Sequence, residues 1–209
     1  VIRGLCGVMA CAAAVAGCAS AGPGAGGQTR ENREDKVRLR TTLQRQAPSL
    51  PDGFSDKPLP AWRPPFTPDS RACRIVLQTA AGHAPPRALK AQAAATYQGD
   101  LLGELVAVNI VAYEPGQAGW RLRELGKSLR ECTRLAAGPG TRLRMRPLHM
   151  ERLGDDSVAA SARGRLNGYP YAFNLVLARS GDTVVSVVHT GLAGVEARRT
   201  RDLALAFLQ

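Results

Sequence analysis

The chain predicts an α+β fold. About six strands, the last four in an antiparallel meander, form a twisted antiparallel sheet packed by two to three helices, behind a disordered N-terminal tether. Three observations carry this expectation. Apolar residues recur at helical spacing in "TPDSRACRIVLQTA" (67–80), "AGWRLRELGKSLRECTRL" (118–135) and "GVEARRTRDLALAFLQ" (194–209). Short runs of strand character occupy 93–98, 105–113, 142–150, 157–166, 171–179 and 183–190. The last four runs are separated only by "GDD", "NGYP" and "SGD", turn sequences that join antiparallel neighbours.

The N-terminus reads as an export leader. A single basic residue, Arg3, precedes the uncharged stretch "GLCGVMACAAAVAG", which matches the apolar region of a secretory signal and is too short for a membrane-spanning helix of roughly 20 residues. Val15-Ala16-Gly17-Cys18 then resembles the bacterial lipobox, in which small residues admit the peptidase and the Cys thiol receives diacylglycerol. This divides the chain into a signal peptide at 1–17, a lipid-anchored flexible, Pro-rich tether at 18–66, and a folded domain at 67–209. The membrane lipid on Cys18 is the first expected partner, and the outer face of the cytoplasmic membrane the expected location.

Within the tether, "ASAGPGAGGQT" is small and flexible. Gly22, Gly24 and Gly27 fit a dinucleotide-binding glycine pattern, but no strand precedes them and no apolar helix follows, so the motif fails its structural requirement. Residues 30–46 are nearly all polar, with only Val37, Leu39 and Leu43 for an apolar stripe, which predicts a short exposed helix or disorder. Seven prolines between 48 and 68 exclude a regular helix or central strand, and Phe54, Trp62 and Phe66 are the residues that pin the run to the domain.

The first helix has Thr67 or Asp69 as candidate cap and Pro68 suited to its first turn, and Ala72, Cys73, Val76 and Leu77 share its core face. In the second, Leu122, Leu125, Leu129 and Cys132 share a face, and Gly126 weakens the helix without ending it. In "RLRMR" the arginines alternate with Leu143 and Met145, as in a strand with one solvated face. In the last helix Val195, Leu203, Ala204, Phe207 and Leu208 can lie on the sheet.

Removal of the leader takes Cys6 and Cys11, and lipid takes Cys18, which leaves Cys73 and Cys132 of the five cysteines. In an oxidising compartment two remaining thiols pair, and the expectation is a disulfide between the two helices that flank the first hairpin; two separately buried thiols are the alternative. The net charge of +11 rests on 24 Arg and 4 Lys, scattered along the chain. With an export signal and no binding motif, the charge points away from nucleic acid and towards anionic phospholipid headgroups or an envelope ligand. The three histidines, His83, His149 and His189, have no His or Cys at metal-ligand spacing and read as edge-strand or loop residues. Neither a nucleophile elbow nor a phosphate-binding loop is present, so no catalytic residue, metal or cofactor is expected. Tyr97, Tyr113, Trp120, Tyr169 and Tyr171 could line a groove, but most belong in a core.

Taken together, the lipobox, the Pro-rich approach with "LPDGF", Cys73 in "RACRIVL", the strand ending at Tyr113, Cys132 in "LRECTRL", the meander and the closing "LALAFL" helix resemble actinobacterial exported lipoproteins of the PknH-type extracellular sensor domain family. The resemblance covers roughly residues 48–209. It implies a twisted antiparallel sheet packed by helices, with a cleft for an unidentified ligand. The functional expectation is a lipid-anchored, extracytoplasmic ligand-binding or sensor-like domain without catalytic activity. A cell-envelope hydrolase and a structural adaptor at the membrane surface are the alternatives.

Overall fold

The computed structural model describes residues 25–192 and 194–208, so the leader and Cys18 lie outside the described residues. Seven strands form one antiparallel sheet: β1 (Leu89–Gln98), β2 (Leu105–Tyr113), β3 (Arg134–Ala136), β4 (Arg142–Pro147), β5 (Asp156–Leu166), β6 (Tyr169–Ser180) and β7 (Thr183–Gly191). Their order is β1-β2-β7-β6-β5-β4-β3. Strands β3 to β7 are therefore one continuous meander, and the β1–β2 hairpin closes on β7, with Val106 opposite His189 and Val111 opposite Val184.

Four helices cover the sheet: α1 (Ala25–Gln46), α2 (Arg71–Ala80), α3 (Gln117–Glu131) and α4 (Ala197–Ala206). On one face Cys73, Val76 and Leu77 of α2 and Leu122, Leu125 and Leu129 of α3 pack with Ala107, Val111, Leu175, Leu177 and Val188. On the other, Leu39 and Leu43 of α1 and Leu203, Ala204 and Ala206 of α4 pack with Val106, Val108, Ile110, Val176 and Val187. This three-layer arrangement explains why β2, β6 and β7 are apolar almost without alternation, since helices bury both of their sides. Strand β4, near one edge, keeps the period of two.

Three expectations are corrected here. Residues 30–46 are neither a short exposed helix nor disordered; they belong to a helix of 22 residues. Asp35, Leu39 and Leu43 recur every fourth position and are the only buried residues of 30–46, and Ala47, just past the helix, continues the stripe. So narrow a stripe suffices because β1 offers it Ala91, Ala93 and Ala95, side chains small enough for close approach. Lys90 pairs with Glu31 (2.8 Å) and Asp35 (3.6 Å), and Tyr97 donates to the Leu43 carbonyl (3.0 Å). The cap of α2 is Ser70 and not Thr67 or Asp69, since its side chain accepts from the Cys73 amide. Helix α3 stops at Glu131, four residues before the predicted end, and Leu135 enters the core from a three-residue strand instead.

The Pro-rich run forms a strap across the free edge of β1. Leu59 and Thr96 exchange backbone hydrogen bonds (2.7 and 3.2 Å), and Ser55 N donates to Gln98 O (2.8 Å). Trp62 is buried, while Phe54 and Phe66 are half-buried against opposite faces of the sheet. Because prolines cannot complete a ladder, the strap covers the edge without extending the sheet.

Candidate functional site

Two of the concavities among the described residues combine depth with polar groups. The larger, of about 630 Å³, is a groove between the C-terminal half of α3 and the β4–β5 edge region. Its walls are apolar: Gly126 and Leu129 from α3, Met145 from β4, Val158 and Ala160 from β5, and Met150 from the β4–β5 connection. Arg130 and His149, both exposed, stand at its rim. A Cβ on Gly126 would meet Val158 at 3.5 Å, an ordinary van der Waals contact, so the position accepts alanine, while a longer side chain would enter the groove. Cys132, also in the wall, is joined to Cys73 with the two Cα atoms 4.9 Å apart. The bond ties the start of α2 to the end of α3 and fixes the back of the groove.

The smaller concavity, of about 320 Å³, opens between the β1–β2 turn and the β7–α4 connection, walled by Leu101, Leu102 and Leu192. Beneath it lies a buried polar chain. The carboxylate of Glu104 accepts from Arg199 Nε (2.8 Å), Arg199 Nη2 (3.3 Å) and the Leu101 amide (3.3 Å). His189 Nε2 lies 3.0 Å from Glu104 Oε1, and its Nδ1 lies 2.9 Å from Thr200 Oγ1. Asn174 Nδ2 donates to the same hydroxyl (2.8 Å). Burial alone would push the Glu104 carboxyl up, but the hydrogen bonds from Arg199, His189 and the Leu101 amide outweigh it and hold the group below the usual carboxylate range. Burial pushes the His189 imidazole down, against the pull of the Glu104 carboxylate.

The order carboxylate, imidazole, hydroxyl has the outline of a nucleophilic triad, but the hydroxyl is in the wrong place for one. Thr200 has no accessible surface and its Oγ1 lies 2.9 Å from the Glu196 carbonyl, its own preceding helical turn. A substrate carbonyl has no path to it. The arrangement is a structural clamp joining the β1–β2 turn, β7, β6 and α4. His189 thus departs from the expectation of an edge-strand or loop residue: it sits on a strand with neighbours on both sides and is buried, whereas His83 and His149 are exposed. Tyr97, Tyr113 and Tyr171 are core residues, and Trp120 stacks under the Arg121 guanidinium at 4.6 Å. Among the described residues no group of His, Cys, Asp or Glu could hold a metal ion, and no helix is long and apolar enough to cross a membrane.

Neither protein-family models nor curated proteins match the chain. Solved structures do. The extracellular domain of PknH from Mycobacterium tuberculosis is similar with a TM-score of 0.57 and 11% identity, over 83% of this chain and 94% of that one. A putative uncharacterized protein from Mycobacterium smegmatis reaches a TM-score of 0.48 at 17% identity, over 80% of this chain and 93% of its own. At such low identity the likeness concerns the backbone, and it agrees with the resemblance noted in the sequence: this chain has the fold of the PknH extracellular domain.

Proposed function

We propose that the protein is a lipid-anchored, extracytoplasmic ligand-binding domain of sensor-like type, without catalytic turnover, and that the groove beside α3 is its ligand site. The observation that carries this reading is the groove's chemistry. Its volume of about 630 Å³ falls within the range of small-molecule sites, its walls are largely apolar, and the cations among its lining, Arg130 and Arg146, favour an anion. An amphipathic molecule with an apolar body and an acidic head fits that distribution. The fold shared with a protein's extracellular domain supports the location, and the inaccessible Thr200 supports binding over hydrolysis.

The test is displacement of a fluorescent fatty acid from the full chain. Gly126→Leu should fill the groove and weaken binding at least about tenfold, a loss of roughly 1.4 kcal/mol, while Gly126→Ala leaves it within about twofold. Equal binding by the wild type and the Leu variant sinks the assignment of the groove. The anchor has its own measurement: Cys18→Ala should abolish both maturation and fatty-acid labelling in cells, and a variant that is still processed and labelled refutes it.

A further inference from the structure

The face of the sheet that carries α1 and α4 is covered only in part. Helix α1 lies on β1 and α4 on β6 and β7, and β3, β4 and β5 have no helix over them on that side. The residues exposed there are arginines. Sheet register sets Arg134, Arg144 and Arg163 side by side across three strands, Arg142 opposite Arg165 in the next row, and Arg146 opposite Ser161 in the row beyond. All six arginines are exposed, while the alternate residues Leu135, Leu143, Met145, Ala160 and Ala162 are buried on the other face. At strand spacings of about 4.8 Å and about 7 Å between alternate residues, the cations occupy a patch of roughly 10 by 14 Å.

Among the described residues Arg134, Arg142, Arg144, Arg146 and Arg163 have no acidic partner, and β3, β4 and residues 157–166 of β5 contain no Asp or Glu. Like charges directly opposite on neighbouring strands destabilise a sheet. Two of these pairs, Arg142 with Arg165 and Arg144 with Arg163, are held close by Gly164, where a Cβ would collide with the Arg142 carbonyl and come within 2.7 Å of the Leu143 Cα. The surface is also shaped: adjoining depressions of about 560 and 370 Å³ are lined by Arg134, Arg142, Arg144, Arg146 and Arg163. Helix α4 lies on the same side of the sheet but on β6 and β7, so the two depressions between the arginines are lined by strand residues alone. Guanidinium groups bind phosphate oxygens in pairs, which a row of ammonium groups would not do.

We propose that this arginine shelf is a second binding site, adjoining the groove only at Arg146, and that it takes a linear polyanion with closely spaced phosphate charges. The probe is labelled inorganic polyphosphate titrated into the full chain. The wild type should bind with an affinity that falls steeply with salt, with a log–log slope of about −3 to −5 if most of the six arginines engage. Arg144→Ser with Arg163→Ser should weaken binding more than about tenfold, and Arg40→Ser with Arg45→Ser, an equal charge change on the exposed side of α1, should stay within about twofold. Orthophosphate should not compete at matched phosphate concentration. Equal losses in the two double variants would reduce the effect to net charge and overturn the proposal. So would capture by phosphatidylglycerol vesicles without binding to polyphosphate, effective competition by orthophosphate, or no binding at low salt. Gly126→Leu should leave polyphosphate binding unchanged, so failure of the groove assignment and failure of this one are read separately.

Discussion

Replacement of both Cys73 and Cys132 by Ala lowers stability by about 4 kcal/mol. The bond closes a loop with a sequence separation of 59, and most of the stabilisation comes from the conformations that this loop denies to the unfolded chain. Both residues are fully buried, so Ala, which adds no polar atom to the core, isolates the loss of the covalent link better than Ser. For a domain of this size the change corresponds to a fall in Tm of roughly 8–16 °C. Thermal unfolding of the wild type under oxidising and reducing conditions, beside the double variant, checks it. Reduced wild type and double variant should melt together, and a wild type unaffected by reductant would exclude the disulfide as a stabilising element.

The second large effect belongs to Glu104. Its carboxylate is buried and holds Arg199, His189 and the Leu101 amide at once. Glu104→Ala leaves the buried His189 without its carboxylate and the half-buried Arg199 with only the more distant Asp100, and the expected cost lies toward the lower end of about 3–5 kcal/mol. Glu104→Gln keeps the shape and part of the hydrogen bonding, and should cost less, about 1–3 kcal/mol. The pH dependence has a definite sign. Both Glu104 and His189 titrate lower in the fold than in the unfolded chain, so each contributes stability at high pH that is lost on acidification. The loss begins below the ordinary His value of 6.5, where the unfolded imidazole takes a proton that the buried one resists, and deepens below the ordinary Glu value of 4.5. Tm measured from pH 8 to pH 3 should fall in those two stages for the wild type, and Glu104→Gln should lose the lower one. A variant that follows the wild-type curve below pH 4.5 would show that Glu104 is not the group responsible.

How far the sequence could be read depended on whether neighbours in the fold are neighbours in the chain. The meander was legible because "GDD", "NGYP" and "SGD" place each turn between strands that pair, and α2 and α3 were legible because Val76, Leu77, Leu125 and Leu129 repeat at helical spacing. Helix α1 was not, because its burial depends on the alanines of β1, about 50 residues away, rather than on any strong apolar face of its own. The Glu104 clamp was also hidden. Glu104, Asn174, His189 and Thr200 are far apart in the chain, and the β2–β7 and β6–β7 registers together with the packing of α4 bring them together. Half of the arginine shelf was visible as alternation in "RLRMR", but that Arg163 and Arg165 stand opposite it follows from strand pairing alone. The groove could not be anticipated, since its walls come from three separate elements and its residues are ordinary core types.

Helix α1 carries a mechanical consequence. It lies on the sheet by two leucines, an alanine and the Lys90 ion pairs, whereas the body behind it is closed by the disulfide, the strap and two apolar layers. Tension applied at residue 25 therefore falls first on the packing of α1 against β1, ahead of the disulfide-closed body. A helix of 22 residues is about 33 Å long and pays out to about 75 Å when extended. The helix is thus a reel: where it uncoils under load, the distance from residue 25 to the groove grows while the groove itself keeps its shape.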